Sequence, residues 1–245
     1  MVQQLTPVAS SPILYPESDG QPMADNTQKF RWIVIIKENL EILFALIEPV
    51  FVAGDLLWYP VEGHPKIRQA PDVMVVLGCP KGDRESYRQW QENNIAPQVI
   101  FEIISPGNRA RQMAEKLLFY QRYGVEEYYL YDPQQQELTG LLRTENWLEP
   151  IEQINGWVSP RLEIRFELTD TGLEIYRPDG QKFLTPVELD QLRQQESQRA
   201  DQESQRADQE RQRADQAELE LEQQRQRAEH LAELLRSQGI NPEDT

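Results

Sequence analysis

The chain has 245 residues, more than one average domain needs, and its net charge of -16 is not that of a protein that grips duplex DNA by neutralising phosphates over its whole surface. One cysteine, Cys79, excludes an intramolecular disulfide and fits a reducing compartment. Two histidines far apart in sequence, His64 and His230, do not make a His/Cys zinc site within one chain.

Residues 1–23 carry Pro7, Pro12, Pro16 and Pro22, with no basic leader and no long apolar stretch, so they read as a flexible arm and not as a secretion signal. The most apolar run, Trp32 to Ile36, is far below membrane-spanning length, and the expected setting is cytoplasmic with no membrane partner. From about Ala24 to Leu46, Phe30, Ile33, Val34, Leu40, Leu43 and Phe44 recur at helical spacing behind Asp25 or Asn26 as cap, which predicts a long first helix. FVAGDLLWYPVEG and KIRQAPDVMVVLG then predict two strands, as a hairpin with its loop near Glu62 to Pro65. The polar stretch CPKGDRESYRQWQENNIAP reads as a loop or short helix.

Gln98 to Ile104 is a continuous apolar run broken by one acid, the pattern of a strand buried on both faces. A turn at Ser105-Pro106-Gly107-Asn108 opens a helix that should end near Gly124, and Glu127 to Tyr131 forms the next strand. Strand, helix, strand in this span is a βαβ unit, whose two strands should be parallel neighbours. Leu138 to Leu142, Trp157 to Val158, Leu162 to Phe166 and Leu173 to Tyr176 read as short antiparallel additions, with Trp147 and Trp157 at the edge of the core.

Residues 189–245 contain no Trp, Tyr or Phe. They hold 8 basic and 14 acidic groups, net −6, leaving 17 basic and 27 acidic, net −10, on the first 188. Such a segment cannot build its own core, so the folded domain is expected at residues 24–188, followed by a heptad-repeat helical tail at 189–237 and a disordered end at 238–245. QESQRAD, QESQRAD and QERQRAD repeat from Gln195 to Asp215, and Ala200, Ala207, Ala214, Leu221, Ala228 and Leu235 share one heptad position. The second seam position holds Glu196, Glu203 and Glu210 before Ala217 and Leu231. The tail therefore reads either as a weak coiled coil that joins copies into a homo-oligomer or as a solvated single helix.

Three residues carry the candidate chemistry. Asp72 opens a predicted strand, Glu102 interrupts an otherwise apolar one, and Lys116 lies on or beside the face of the next helix that carries Met113, Leu117 and Tyr120. A lone acid in a buried strand is expensive unless it binds a cation or is hydrogen-bonded. Two carboxylates on a hard divalent ion with an ammonium beside them suit phosphodiester hydrolysis, and oxygen ligands favour Mg2+ or Mn2+ over zinc.

At these residues the sequence resembles the Uma-two group of restriction endonucleases, within the PD-(D/E)XK nuclease superfamily. The matching text is APDVMVV and VIFEIISPGNRARQMAEKLLFYQRYGVEEYYLYDP, with similarity over roughly residues 25 to 185. The resemblance implies an α/β, restriction-endonuclease-like mixed sheet flanked by helices. It also implies Asp72 and Glu102 as metal-binding catalytic carboxylates, Lys116 as catalytic lysine, and DNA as substrate. In the general superfamily pattern the lysine lies two residues after the Glu, where this chain has Ile104, so the resemblance implies a lysine migrated to the next helix.

Each residue has a structural reading beside the functional one. Asp72 caps the start of a strand, Glu102 makes a buried ion pair with Lys116 or Arg109, and Lys116 snorkels past the core edge. Glu38 and Glu41 on the first helix are further candidate acids, ranked below the three. Arg109, Arg111 and Arg122 with Lys116 make the helix locally basic, as a phosphate approaching its N-terminus would need. Tyr128, Tyr129 and Tyr131 read as strand packing, His64 as an exposed loop residue, and Cys79 as no nucleophile. The competing functions are a catalytically inactive nuclease-fold scaffold that assembles through its helical tail, and an enzyme acting on RNA or a nucleotide derivative.

Overall fold

The computed structural model describes residues 13–18, 20, 24, 26–107 and 110–237. The chain divides into two units at Pro186/Val187.

In the first unit, α1 (Thr27–Leu43) starts where the Asn26 side chain accepts a hydrogen bond from the Lys29 N–H at 2.8 Å. Its buried residues include Lys29, Ile33, Ile36 and Leu40, at steps of four, three and four that keep them on one face. Phe30, expected on that face, is 49% exposed, so the buried stripe lies one residue round from the expected one.

The remaining elements of this unit are β1 (Val50–Gly54), β2 (Trp58–Tyr59), β3 (Val73–Leu77), β4 (Tyr87–Arg88), β5 (Val99–Ile103), α2 (Ala110–Arg122), β6 (Glu127–Asp132), β7 (Glu137–Thr144), β8 (Trp147–Pro150), β9 (Arg165–Thr169) and β10 (Gly172–Tyr176). Six strands form one sheet in the order β1-β3-β5-β6-β7-β8, parallel only between β5 and β6. The expected βαβ unit is thus the centre of a mixed sheet. The first two expected strands do pair antiparallel, Gly54 opposite Val73, but the first is cut short. At Asp55 the backbone turns to φ 51° and its N–H meets the carbonyls of Pro71 and Asp72. Trp58 and Tyr59 then leave the main sheet and run parallel to β4.

Alternating residues of β3 and β5 feed two cores. Val73, Val75, Val99, Phe101 and Ile103 pack with Ile33, Ile36 and Leu40 of α1, and Phe166 and Ile175 of the β9–β10 hairpin complete that layer. Met74, Val76 and Ile100 pack on the other side with Tyr120 of α2, Tyr128, Trp58 and Tyr87. All five residues of β5 are buried, as its apolar run predicts.

Trp157 packs against the first core, but Trp147, expected beside it, is 66% exposed because β8 forms the outer edge of the sheet. Trp157 and Val158 form no strand; Val158 makes one isolated bridge to Arg165. Within the arm, Tyr15 packs on Tyr59 and Trp90 at ring distances of 5.3 and 5.1 Å, and the Tyr59 hydroxyl donates to the Pro16 carbonyl, so these residues are fastened to the domain.

Among the described residues, buried side-chain polar atoms are partnered except Tyr128 Oη and Arg177 Nε. Glu127 accepts from Tyr129 Oη, Ser159 Oγ and the Arg161 N–H, while burial pushes its carboxyl upward against those bonds. Asn39, fully buried, donates to the carbonyls of Ile35 and Leu184 and accepts from the Leu184 N–H and Arg177, tying α1 to the segment after β10. Cys79 is buried against Glu92 and Arg84, and burial pushes its thiol up to about 11.

The second unit consists of the helix α3, which runs from Pro186 to Ser237 over 52 residues, about 78 Å at 1.5 Å per residue. Residues 191–231 are exposed throughout, the seam residues Leu221 and Leu231 included. The expected disordered end at 238–245 lies outside the described residues, as do residues 1–12 of the arm. No helix among the described residues is long and apolar enough to cross a membrane.

Replacing Asn39 by Ala leaves the Leu184 backbone groups and Arg177 short of partners, and should cost about 2–3 kcal/mol in urea unfolding of the full chain. Because burial both shields Cys79 and holds its thiol protonated, iodoacetamide at pH 8 should label the denatured protein readily and the native protein at a small fraction of that rate.

Candidate active site

The site is assembled by strand register. Val73 pairs with Phe101 in the antiparallel β3–β5 ladder, so Asp72 and Glu102 stand opposite each other one step beyond that pair. Both are buried, at 3% and 1% exposure. Directly opposed residues bring their Cβ atoms to about 4.5–5.5 Å, close enough for the two carboxylates to feel each other's charge.

Each carboxylate is held by one ammonium and one neutral donor. Asp72 Oδ1 meets Lys29 Nζ at 2.9 Å, and Oδ2 accepts the Ile103 N–H at 2.7 Å. Glu102 Oε2 meets Lys116 Nζ at 2.6 Å, and Oε1 accepts the Tyr120 hydroxyl at 2.5 Å. Lys116 and Tyr120 are one helical turn apart on α2, which aims both at Glu102. Lys29 comes from α1, on the other side of the sheet.

Burial pushes the Glu102 carboxyl upward; the Lys116 ammonium beside it opposes the rise and the Asp72 charge adds to it. Burial works against the Lys116 ammonium, but the carboxylates of Glu102, Asp72 and Asp55 outweigh it and hold Lys116 above its ordinary value. Tyr120 is raised by burial and by the Glu102 charge beside it. The Tyr128 phenol is raised by burial and then by Glu102 and Asp72, and its buried hydroxyl has no hydrogen-bond partner among the described residues.

The structure thus brings Asp72, Glu102 and Lys116 together, and the structural readings coexist there: Asp72 does fasten a backbone N–H, and Glu102 does pair with Lys116. Glu38 and Glu41 stand apart, both paired with Lys37 on the half-exposed face of α1. Arg109 lies outside the described residues. Arg111 is exposed and pairs with Glu115, and Arg122 lies over the Tyr123 ring.

Sequence reasoning missed Lys29, the role of the Tyr120 hydroxyl, the unpaired Tyr128 hydroxyl and the nearby Asp55 charge. A signal for Lys29 was present: it stands four residues before Ile33 and seven before Ile36, on the buried stripe. As oxygen donors Asp72 and Glu102 could hold a hard cation. Among the described residues, no three His, Cys, Asp or Glu side chains form a ready metal cage.

A solved structure described as a "putative nuclease belonging to DUF820", from Anabaena variabilis, is similar at 16% sequence identity over 57% of this chain and 74% of that one, with a TM-score of 0.40. No curated protein matches. The Uma2 family, described as "Putative restriction endonuclease", matches residues 34–171, a span that includes Asp72, Glu102 and Lys116. With more than half of its sequence matched, the chain belongs to the Uma2 family, and its mixed α/β sheet flanked by helices is a restriction-endonuclease-like fold.

Proposed function

We propose that this protein hydrolyses DNA phosphodiester bonds with a divalent ion, Mg2+ or Mn2+, held by Asp72 and Glu102, and with Lys116 as the catalytic lysine. The observation that carries the reading is two buried carboxylates opposed across neighbouring strands with an ammonium 2.6 Å from one of them. Two carboxylates, with the remaining positions left to water and phosphate oxygens, are a common way to hold Mg2+. The Tyr128 hydroxyl, buried without a partner among the described residues and within the influence of both carboxylate charges, is a donor that a water in such a site would satisfy. The bound ion would supply a polarised phosphate and a more acidic water. Tyr120 and the Ile103 N–H hold the two carboxylates in place, and Lys116 orients the attacking water or stabilises the charge that develops on the phosphate. Scarcity of water around these buried groups strengthens each of those interactions.

A second reading, a catalytically inactive scaffold on the nuclease fold, is favoured by one observation: every carboxylate oxygen of the site already has a protein donor. Cleavage of a DNA and RNA panel with Mg2+ or Mn2+ separates the two. The wild type should cut DNA only with metal, and Glu102→Gln and Lys116→Met, each verified as folded by circular dichroism, should lose about a hundredfold or more. Cutting of RNA alone would move the substrate, and no cutting by the wild type would favour the scaffold.

We further propose that α3 pairs with a second copy of the chain. Ala200, Ala207, Ala214, Leu221 and Ala228 recur every seven residues, and a helix this exposed has no partner for that seam in its own unit. Sedimentation of the full chain should give a mass above the monomer, and Ala214→Glu with Leu221→Glu should reduce it to the monomer. A monomeric wild type would make the tail a solitary helix.

A further inference from the structure

We infer that Lys29 and the divalent ion compete for the Asp72 carboxylate, so that Lys29 is a positioning residue that fills the cation's place until metal arrives. The inference rests on the two-carboxylate metal reading given above.

The argument begins with charge. Two buried carboxylates and two ammoniums, Lys29 on Asp72 and Lys116 on Glu102, form a neutral set. Adding a divalent ion to that set would leave two uncompensated positive charges among side chains that are at most 16% exposed. Surplus buried charge is costly, so entry of the ion requires an ammonium to withdraw.

Lys116 is the poorer choice to leave. It lies at 2.6 Å from its partner and feels the carboxylates of Glu102, Asp72 and Asp55 together. Lys29 has one ion pair, to Asp72, at the longer distance of 2.9 Å. Its backbone is fixed, because Asn26 caps its N–H and Ile33, Ile36 and Leu40 are buried below it in the same helix. Its ammonium is movable, because four rotatable carbons separate it from that backbone. Lys29 also stands in the first turn of α1.

What Lys29 does follows from this placement. Without the ion, it neutralises an aspartate that would otherwise repel Glu102 across the two strands. With the ion bound, the same oxygen, Asp72 Oδ1, is released to it. Metal-free protein is thereby stabilised at the expense of metal affinity.

Mn2+ titration followed by electron paramagnetic resonance tests this on full-length protein without reference to cleavage. Lys29→Met should bind Mn2+ at least tenfold more tightly than the wild type. Asp72→Asn should lose binding in both backgrounds, and Lys37→Met, which removes an equal charge from the half-exposed face of α1, should change affinity less than twofold. If Lys29→Met does not fold, Lys29→Gln keeps a donor to Asp72 without its charge and should still tighten binding. Equal affinity in wild type and Lys29 variants, or equal gains from Lys29→Met and Lys37→Met, would overturn the competition while leaving the metal reading intact. Absence of Mn2+ binding from every protein would remove the metal reading and this inference with it.

Discussion

The rest of the first unit is arranged around two carboxylates that face each other across β3 and β5. Acids so placed in a nearly dry interior repel each other and lose their hydration, and both costs must be met locally. The fold meets them from both sides of the sheet: α1 brings Lys29 to Asp72, and α2 brings Lys116 and Tyr120 to Glu102. The two helices are thus tied to the sheet by charge as well as by the apolar cores. The βαβ crossover matters for the same reason, since β5 and α2 are consecutive and the strand that carries Glu102 leads directly to the helix that neutralises it.

Glu102 was legible in the sequence because it breaks an apolar run, and a buried charge has few reasons to be there. Lys116 was legible because it sits between Met113 and Tyr120 on a helix face that must pack. Lys29 was not read, although it lies on the α1 stripe, because Phe30 next to it is the stronger apolar signal and drew the stripe one residue too far round. A lysine earns a buried position only through its partner, and Asp72 is 43 residues away, a pairing that local periodicity cannot express. The break of the first strand at Asp55 was hidden for a related reason: its N–H is satisfied by the Pro71 and Asp72 carbonyls, and those contacts exist only after β3 has paired with β1.

Glu127 shows the limit of the lone-acid criterion. It too is a buried acid in an apolar strand, at 1% exposure, yet it is held by the Tyr129 hydroxyl of its own strand and by the Ser159 hydroxyl and Arg161 N–H from a following segment. Its bonds fasten a loop to a strand and are complete without any ligand. What distinguishes the site at Glu102 is not burial but company: a second carboxylate in register, two ammoniums, and a phenol at Tyr128 whose hydroxyl has no partner among the described residues. Sequence shows the acid; only the register shows what stands opposite it.

The acidity of the chain bears on how such a site could meet a polyanion. With net −10 over the first 188 residues, long-range attraction to DNA is not available from the body of the protein. The two buried ion pairs are together neutral while each carboxylate holds its lysine, so they offer a phosphate no net attraction either. A divalent ion changes that balance at one place. If Lys29 yields Asp72 to the ion and its ammonium withdraws, two carboxylates, Lys116 and the ion remain, so that set goes from neutral to one net positive charge. Attraction to phosphate then becomes a property of the metal-bound site alone, and recognition and hydrolysis would be switched on by the same event.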